Sequence, residues 1–69
     1  MDNQGAIDLL IATLNDRTTA AEVRVGAAAG LGHIGSHEVR NALATLLKDR
    51  TAAQEVRAAA AQALGRAAS

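Results

Sequence analysis

Apolar residues near the start of the chain fall at Ile7, Leu10, Ile11 and Leu14, a spacing that lines one side of an α-helix. The pattern predicts a helix over residues 5–15. Asn15 to Thr19 then collects residues that favour turns and caps, and Thr19 followed three places on by Glu22 reads as a capping box. A second helix is expected to start there and run to Gly32 or Gly35, with Val23, Ala27, Leu31 and Ile34 facing inward. Ser36 is the expected N-cap of a third helix, whose apolar side carries Val39, Leu43, Leu46 and Leu47. Thr51 and Gln54 form the matching capping box of a fourth, with Val56, Ala60 and Leu64 facing inward. The expected fold class is all-α: four helices arranged as two tandem hairpins.

The two hairpins are copies of one unit. Sliding the chain by 33 residues lays Asp16-Arg17-Thr18 on Asp49-Arg50-Thr51, Glu22-Val23-Arg24 on Glu55-Val56-Arg57, and Leu31-Gly32 on Leu64-Gly65. Between Asn15–Ser36 and Lys48–Ser69, twelve of twenty-two aligned pairs are identical, which places the repeat beyond chance. Upstream the identity fades to Leu10 on Leu43 and Leu14 on Leu47, yet the apolar spacing persists. The expected organisation is a single domain over 1–69, with repeat 1 over about 5–35 and repeat 2 over about 36–68.

Glycine inside a helix costs about 1 kcal/mol relative to alanine, so Gly26 and Gly30, which align with Ala59 and Ala63, call for a reason. Close packing of the second helix against a neighbour is the expected one. Gly32-His33-Ile34-Gly35 lacks the preceding strand and following lysine of a phosphate loop.

Composition narrows the chemistry. Sixteen large aliphatic residues, Met1 included, stand against eighteen alanines, so the core of this short chain must be thin. With no Phe, Tyr or Trp, binding must rely on shape, charge and aliphatic contact rather than on aromatic anchors or base stacking. Seven basic and seven acidic residues cancel, which argues against nucleic acid as a partner. The absence of cysteine excludes disulfides, thiolate zinc sites and cysteine nucleophiles. Met1 to Gly5 shows neither a basic start nor a long apolar run, so no membrane span is expected and a cytoplasmic location is the default.

Glu-Val-Arg followed by an alanine-rich helix ending Leu-Gly-x-Ile-Gly resembles the HEAT-like repeat, a unit also found in phycobilin lyases. The resemblance covers nearly the whole chain and is strongest at Glu22-Val23-Arg24 with Leu31 to Gly35, and at Glu55-Val56-Arg57 with Leu64-Gly65. It implies a short α-solenoid. The chain departs from the common form in its proline-free loops and in Arg66-Ala67-Ala68-Ser69, whose small and polar residues are those a terminal cap would need. The resemblance also implies a polar ladder joining the units, with Asp16 and Asp49 as acceptors and Arg24 and Arg57 as donors. Recurrence at the repeat period favours that structural role over a substrate clamp.

His33 and His37 have a spacing that can bind zinc on one continuous helix, but Gly35 and Ser36 interrupt the helix and no third ligand is evident. No serine or threonine sits in a nucleophile motif. No catalytic residue, metal site or cofactor is therefore expected, and the chain is expected not to be an enzyme. The resemblance implies that the second helix of each unit lines the partner face, and makes Glu22, Val25, Ala29, His33, Glu55, Ala58, Gln62 and Arg66 the candidate ridge. The expected function is a protein-interaction or scaffolding module. Its partner is another protein, a peptide or a second copy, because two units fall short of the usual three, unless the module is part of a larger protein. A fragment related to the phycobilin lyases is the alternative.

Overall fold

The computed structural model describes residues 2–69. Four helices follow one another: α1 Asn3–Asn15, α2 Ala21–Leu31, α3 His37–Lys48 and α4 Gln54–Ala67. Within each hairpin α1 packs on α2 and α3 on α4, and the most extensive contact between hairpins runs along α2 and α4. The result is a two-layer slab of 29 × 25 × 15 Å, with α1 and α3 in one layer and α2 and α4 in the other. Arg17, before α2, reaches Thr51, before α4, while Gly32 at the far end of α2 lies against Ala63 near the end of α4. These two contacts make α2 and α4 parallel neighbours.

The helices start and stop for local reasons. Asp2 caps α1 by accepting from the Gly5 amide at 2.6 Å, so α1 begins earlier than the apolar pattern alone indicates. Ser36 caps α3 as expected, its hydroxyl accepting from the Val39 amide at 3.2 Å. The two expected capping boxes do not form. α2 and α4 begin after Ala20 and Ala53, neither of which has a side chain able to cap. The Thr19 and Thr51 hydroxyls instead donate back to Asp16 and Asp49. Each N-cap falls one or two residues beyond its threonine, on an alanine, and the hydroxyl, left in the loop, donates to the loop aspartate.

Leu14, Leu31, Val39, Leu43 and Val56 are the largest fully buried side chains. Each contributes roughly 1.5–3 kcal/mol of burial. Ile7 and Leu46 join them, and the remainder of the buried apolar cluster is alanine. A core of small side chains holds only where helix axes come close enough for dispersion contact. Leu10, Ile11, Ile34, Leu47 and Leu64 pack against this cluster half-buried. Val23 departs from expectation: it is 51% exposed, whereas its repeat mate Val56 is fully buried. In α4 the line Val56–Ala60–Ala63–Ala67 is buried; along the corresponding side of α2 Ala27 is buried and Gly30 meets Leu10, so Val23 alone is left open.

The close approach lies at a different glycine from the two expected. A side-chain carbon at Gly26 would meet nothing within 4 Å, and one at Gly30 would make ordinary contact with Leu10 at 3.7 Å. At Gly32 it would lie 3.0 Å from the Ala63 Cα and 3.1 Å from its Cβ, too close without a shift of α4. Gly32 has right-handed helical angles, so it is required for space and not for backbone freedom.

Candidate interaction surface

The loop of each unit is built on its aspartate. The Thr18 amide and hydroxyl both donate to Asp16 Oδ1, at 2.9 and 2.7 Å, and Thr51 repeats the pattern on Asp49 Oδ1 at the same two distances. Such a turn closes when the side chain supplies the acceptor that the backbone lacks. These donors, with the Thr18 and Thr51 hydroxyls foremost, hold both carboxyls below the ordinary aspartate value. The free corner differs between units. Asp16 Oδ2 takes the Thr19 hydroxyl at 2.9 Å, whereas Ala52 stands at the aligned place and Asp49 Oδ2 takes the Arg17 guanidinium instead.

The ladder between units is therefore carried by Arg17, which pairs with Asp49 and also donates to the Thr51 hydroxyl at 2.8 Å and the Thr51 carbonyl at 3.3 Å. The donors expected from the family resemblance, Arg24 and Arg57, work within their own hairpins. Arg24 Nε donates to the Leu14 carbonyl at 2.9 Å, and Arg57 Nε to the Leu47 carbonyl at 3.1 Å. Leu14 and Leu47 lie in the last turns of α1 and α3, where carbonyls lack helical partners and the dipole favours a cation. Arg24 is buried, so each Glu-Val-Arg motif ties the end of one helix to the start of the next. The recurrence of Arg17 as Arg50 within Asp-Arg-Thr was the available signal for the true ladder donor.

On the ridge, Glu22, Ala29 and His33 of the α2 side and Glu55, Ala58, Gln62 and Arg66 of α4 are exposed, and Val25 is half-buried. Because α2 and α4 are parallel, Glu22 and Glu55 share one end of the slab, while His33 and Arg66 share the other. His33 lies beyond the end of α2 and His37 opens α3, so the two belong to different elements. Among the described residues no group of three or more His, Asp or Glu side chains is gathered closely enough to hold a metal ion, and no pocket opens. No helix among them is long and apolar enough to cross a membrane.

The repeated hairpins, parallel second helices and shared loop geometry agree with one family model, described as HEAT repeats, which matches residues 1–67. The chain belongs to the HEAT-repeat family. No curated protein and no solved structure matches it. HEAT repeats commonly serve as protein-interaction and scaffold modules, and the family is generally non-catalytic.

Proposed function

We propose that this HEAT-repeat chain is a non-catalytic scaffold that binds a protein or peptide along the ridge of α2 and α4. The observation that supports the reading is the exposure of seven of the eight ridge residues on two parallel, adjacent helices. Ala29 and Ala58 leave room for the close approach of a helix or an extended segment. Glu22 and Glu55 give the ridge an acidic end, and Arg66 with His33 gives it a polar, basic end. A partner segment with a cationic group at the first end and a carboxylate at the second fits that polarity. In this proposal the module acts in the cytoplasm, alone or within a larger protein.

The test is affinity capture from native lysate with two baits, the wild-type chain and a Glu22→Lys, Glu55→Lys, Arg66→Glu variant of matched circular dichroism. The reading expects proteins held by the first bait to be lost from the second. Retention of the same proteins by both baits would remove the ridge from consideration.

A further inference from the structure

The contact between the two hairpins is a template for a contact that the chain itself leaves unmade. On the first hairpin Arg17 and Gly32 reach across it, and Ala28 and Leu31, on the same helix as Gly32, are fully buried. The residues 33 places on are Arg50, Ala61, Leu64 and Gly65, identical in type at all four positions. Ala61, Gly65 and Arg50 are exposed, Leu64 is half-buried, and a side-chain carbon at Gly65 would meet nothing within 4 Å. Arg50 has no hydrogen-bond or ion-pair partner among the described residues, although its mate Arg17 has three acceptors. The outer edge of the second hairpin thus repeats these four residues, while Gln4 and Gly35, which also meet the second hairpin, are replaced by His37 and Ala68.

The opposite edge carries the matching half. The second hairpin receives the first through Asp49, Thr51 and Ala63, which correspond to Asp16, Thr18 and Gly30, and its buried Val56 corresponds to Val23. Among the described residues Val23 and Leu9 are the two large hydrophobic residues left exposed, at 51% and 54%. Both lie on this edge. Val23 aligns with buried Val56, and Leu9 aligns with Ala42, one turn beyond the Glu38 whose carboxylate accepts from Gln4 of α1 at 3.1 Å. Gly30 is smaller than Ala63, so the Gly65 of an incoming edge meets less obstruction there than Gly32 meets within the chain. Asp16 Oδ2 already accepts from Thr19, but a carboxylate oxygen has a second lone pair for an arginine.

We propose that copies of this chain associate head to tail, with Arg50 of one copy donating to Asp16 and Thr18 of the next. Gly65 of the first copy then seats against Gly30 of the second, and Val23 and Leu9 become buried. The contact continues the established interface between hairpins, and it uses the two edges of the slab; on α4 it shares the face of Ala58 with the ridge but not the charged Glu22, Glu55 and Arg66. Because the two faces differ, association is heterologous: it does not stop at a pair, and it closes only if the rotation per copy allows a ring.

Sedimentation of the intact chain from micromolar to millimolar concentration, with two single-edge variants, tests the proposal. Gly65→Gln blocks one edge where the structure has open space, and Val23→Lys blocks the other at an exposed site. The wild-type average mass is expected to rise past twice the 7.0 kDa of one chain. Each variant alone is expected to stay at one, and an equimolar mixture to reach twofold and stop. Arg50→Glu is expected to abolish the rise without altering the monomer's circular dichroism. A wild-type chain monomeric throughout, or variants that each still self-associate, would overturn the head-to-tail contact. Neither outcome bears on the ridge, since Glu22, Glu55 and Arg66 are intact in all these proteins.

Discussion

Replacing Gly32 with alanine puts two effects in opposition. Alanine favours the helical backbone by up to about 1 kcal/mol over glycine. Gly32 is the cap of α2 and only half within the helix, so its gain is smaller. Against that, the new carbon would stand 3.0 Å from the Ala63 Cα and 3.3 Å from its carbonyl oxygen. The obstructing atoms are backbone, so α4 must move as a unit, and overpacking of this kind costs about 1–3 kcal/mol. The net expectation is a loss of about 1–2 kcal/mol. A domain of 69 residues has roughly 3–10 kcal/mol in all, so the loss is a substantial part of the total. Gly26→Ala is the internal control, because its added carbon meets nothing and the helix gain of about 1 kcal/mol stands alone. Urea titration followed by circular dichroism, at concentrations where the chain is monomeric, reads both. The two substitutions are expected to shift the midpoint in opposite directions with an unchanged slope. A Gly32→Ala chain as stable as Gly26→Ala would refute the close approach as the feature that joins the hairpins.

Arg24→Met removes a buried, charged donor from the Leu14 carbonyl and is expected to cost about 1.5–3 kcal/mol; thermal melts should show a smaller loss for half-buried Arg57→Met. Ala20→Asp supplies the cap that α2 lacks and is expected to raise stability by about 1 kcal/mol in the same melts, a gain unavailable if Thr19 already filled that role. Because hydrogen bonds from threonine depress the Asp16 and Asp49 carboxyls in the folded chain, their contribution is complete above the ordinary aspartate value. It is lost as pH falls through the lower folded-state values. Melting temperature is accordingly expected to fall on acidification below about pH 4, and a Thr18→Val, Thr51→Val chain should show a shallower fall.

The helices and their pairing into repeats were readable because apolar spacing and a 33-residue identity report the same unit independently. Ser36 was readable as a cap because it stands directly before the apolar spacing of α3. Thr19 and Thr51 match the capping pattern but lie one and two residues before the true cap positions, because the loop folds around its aspartate and delays the helix start. Val23 looked like a core residue because Val56 is one. Among the described residues no hairpin lies against Val23 as one lies against its mate, and that difference is not written in the residue itself. The glycines show the same limit. Gly26 and Gly30 stood out because their repeat mates differ, while Gly32 was concealed by matching Gly65, although only Gly32 has a helix against it. The exposed face of α2 and α4 was legible as a face, since burial of one side of each helix leaves the other to solvent.

Two like units meet through Gly32, and the equivalent Gly65 is left open. Nuclear Overhauser spectroscopy on the isotope-labelled chain at dilute concentration measures both at once. A strong cross-peak is expected between the Gly32 α-protons and the Ala63 methyl, since a side-chain carbon in place of one of those protons would stand 3.1 Å from that methyl carbon. The Gly65 α-protons are expected to show none to a methyl outside α4. Absence of the first cross-peak, or the same pattern at both glycines, would contradict the way these hairpins are joined.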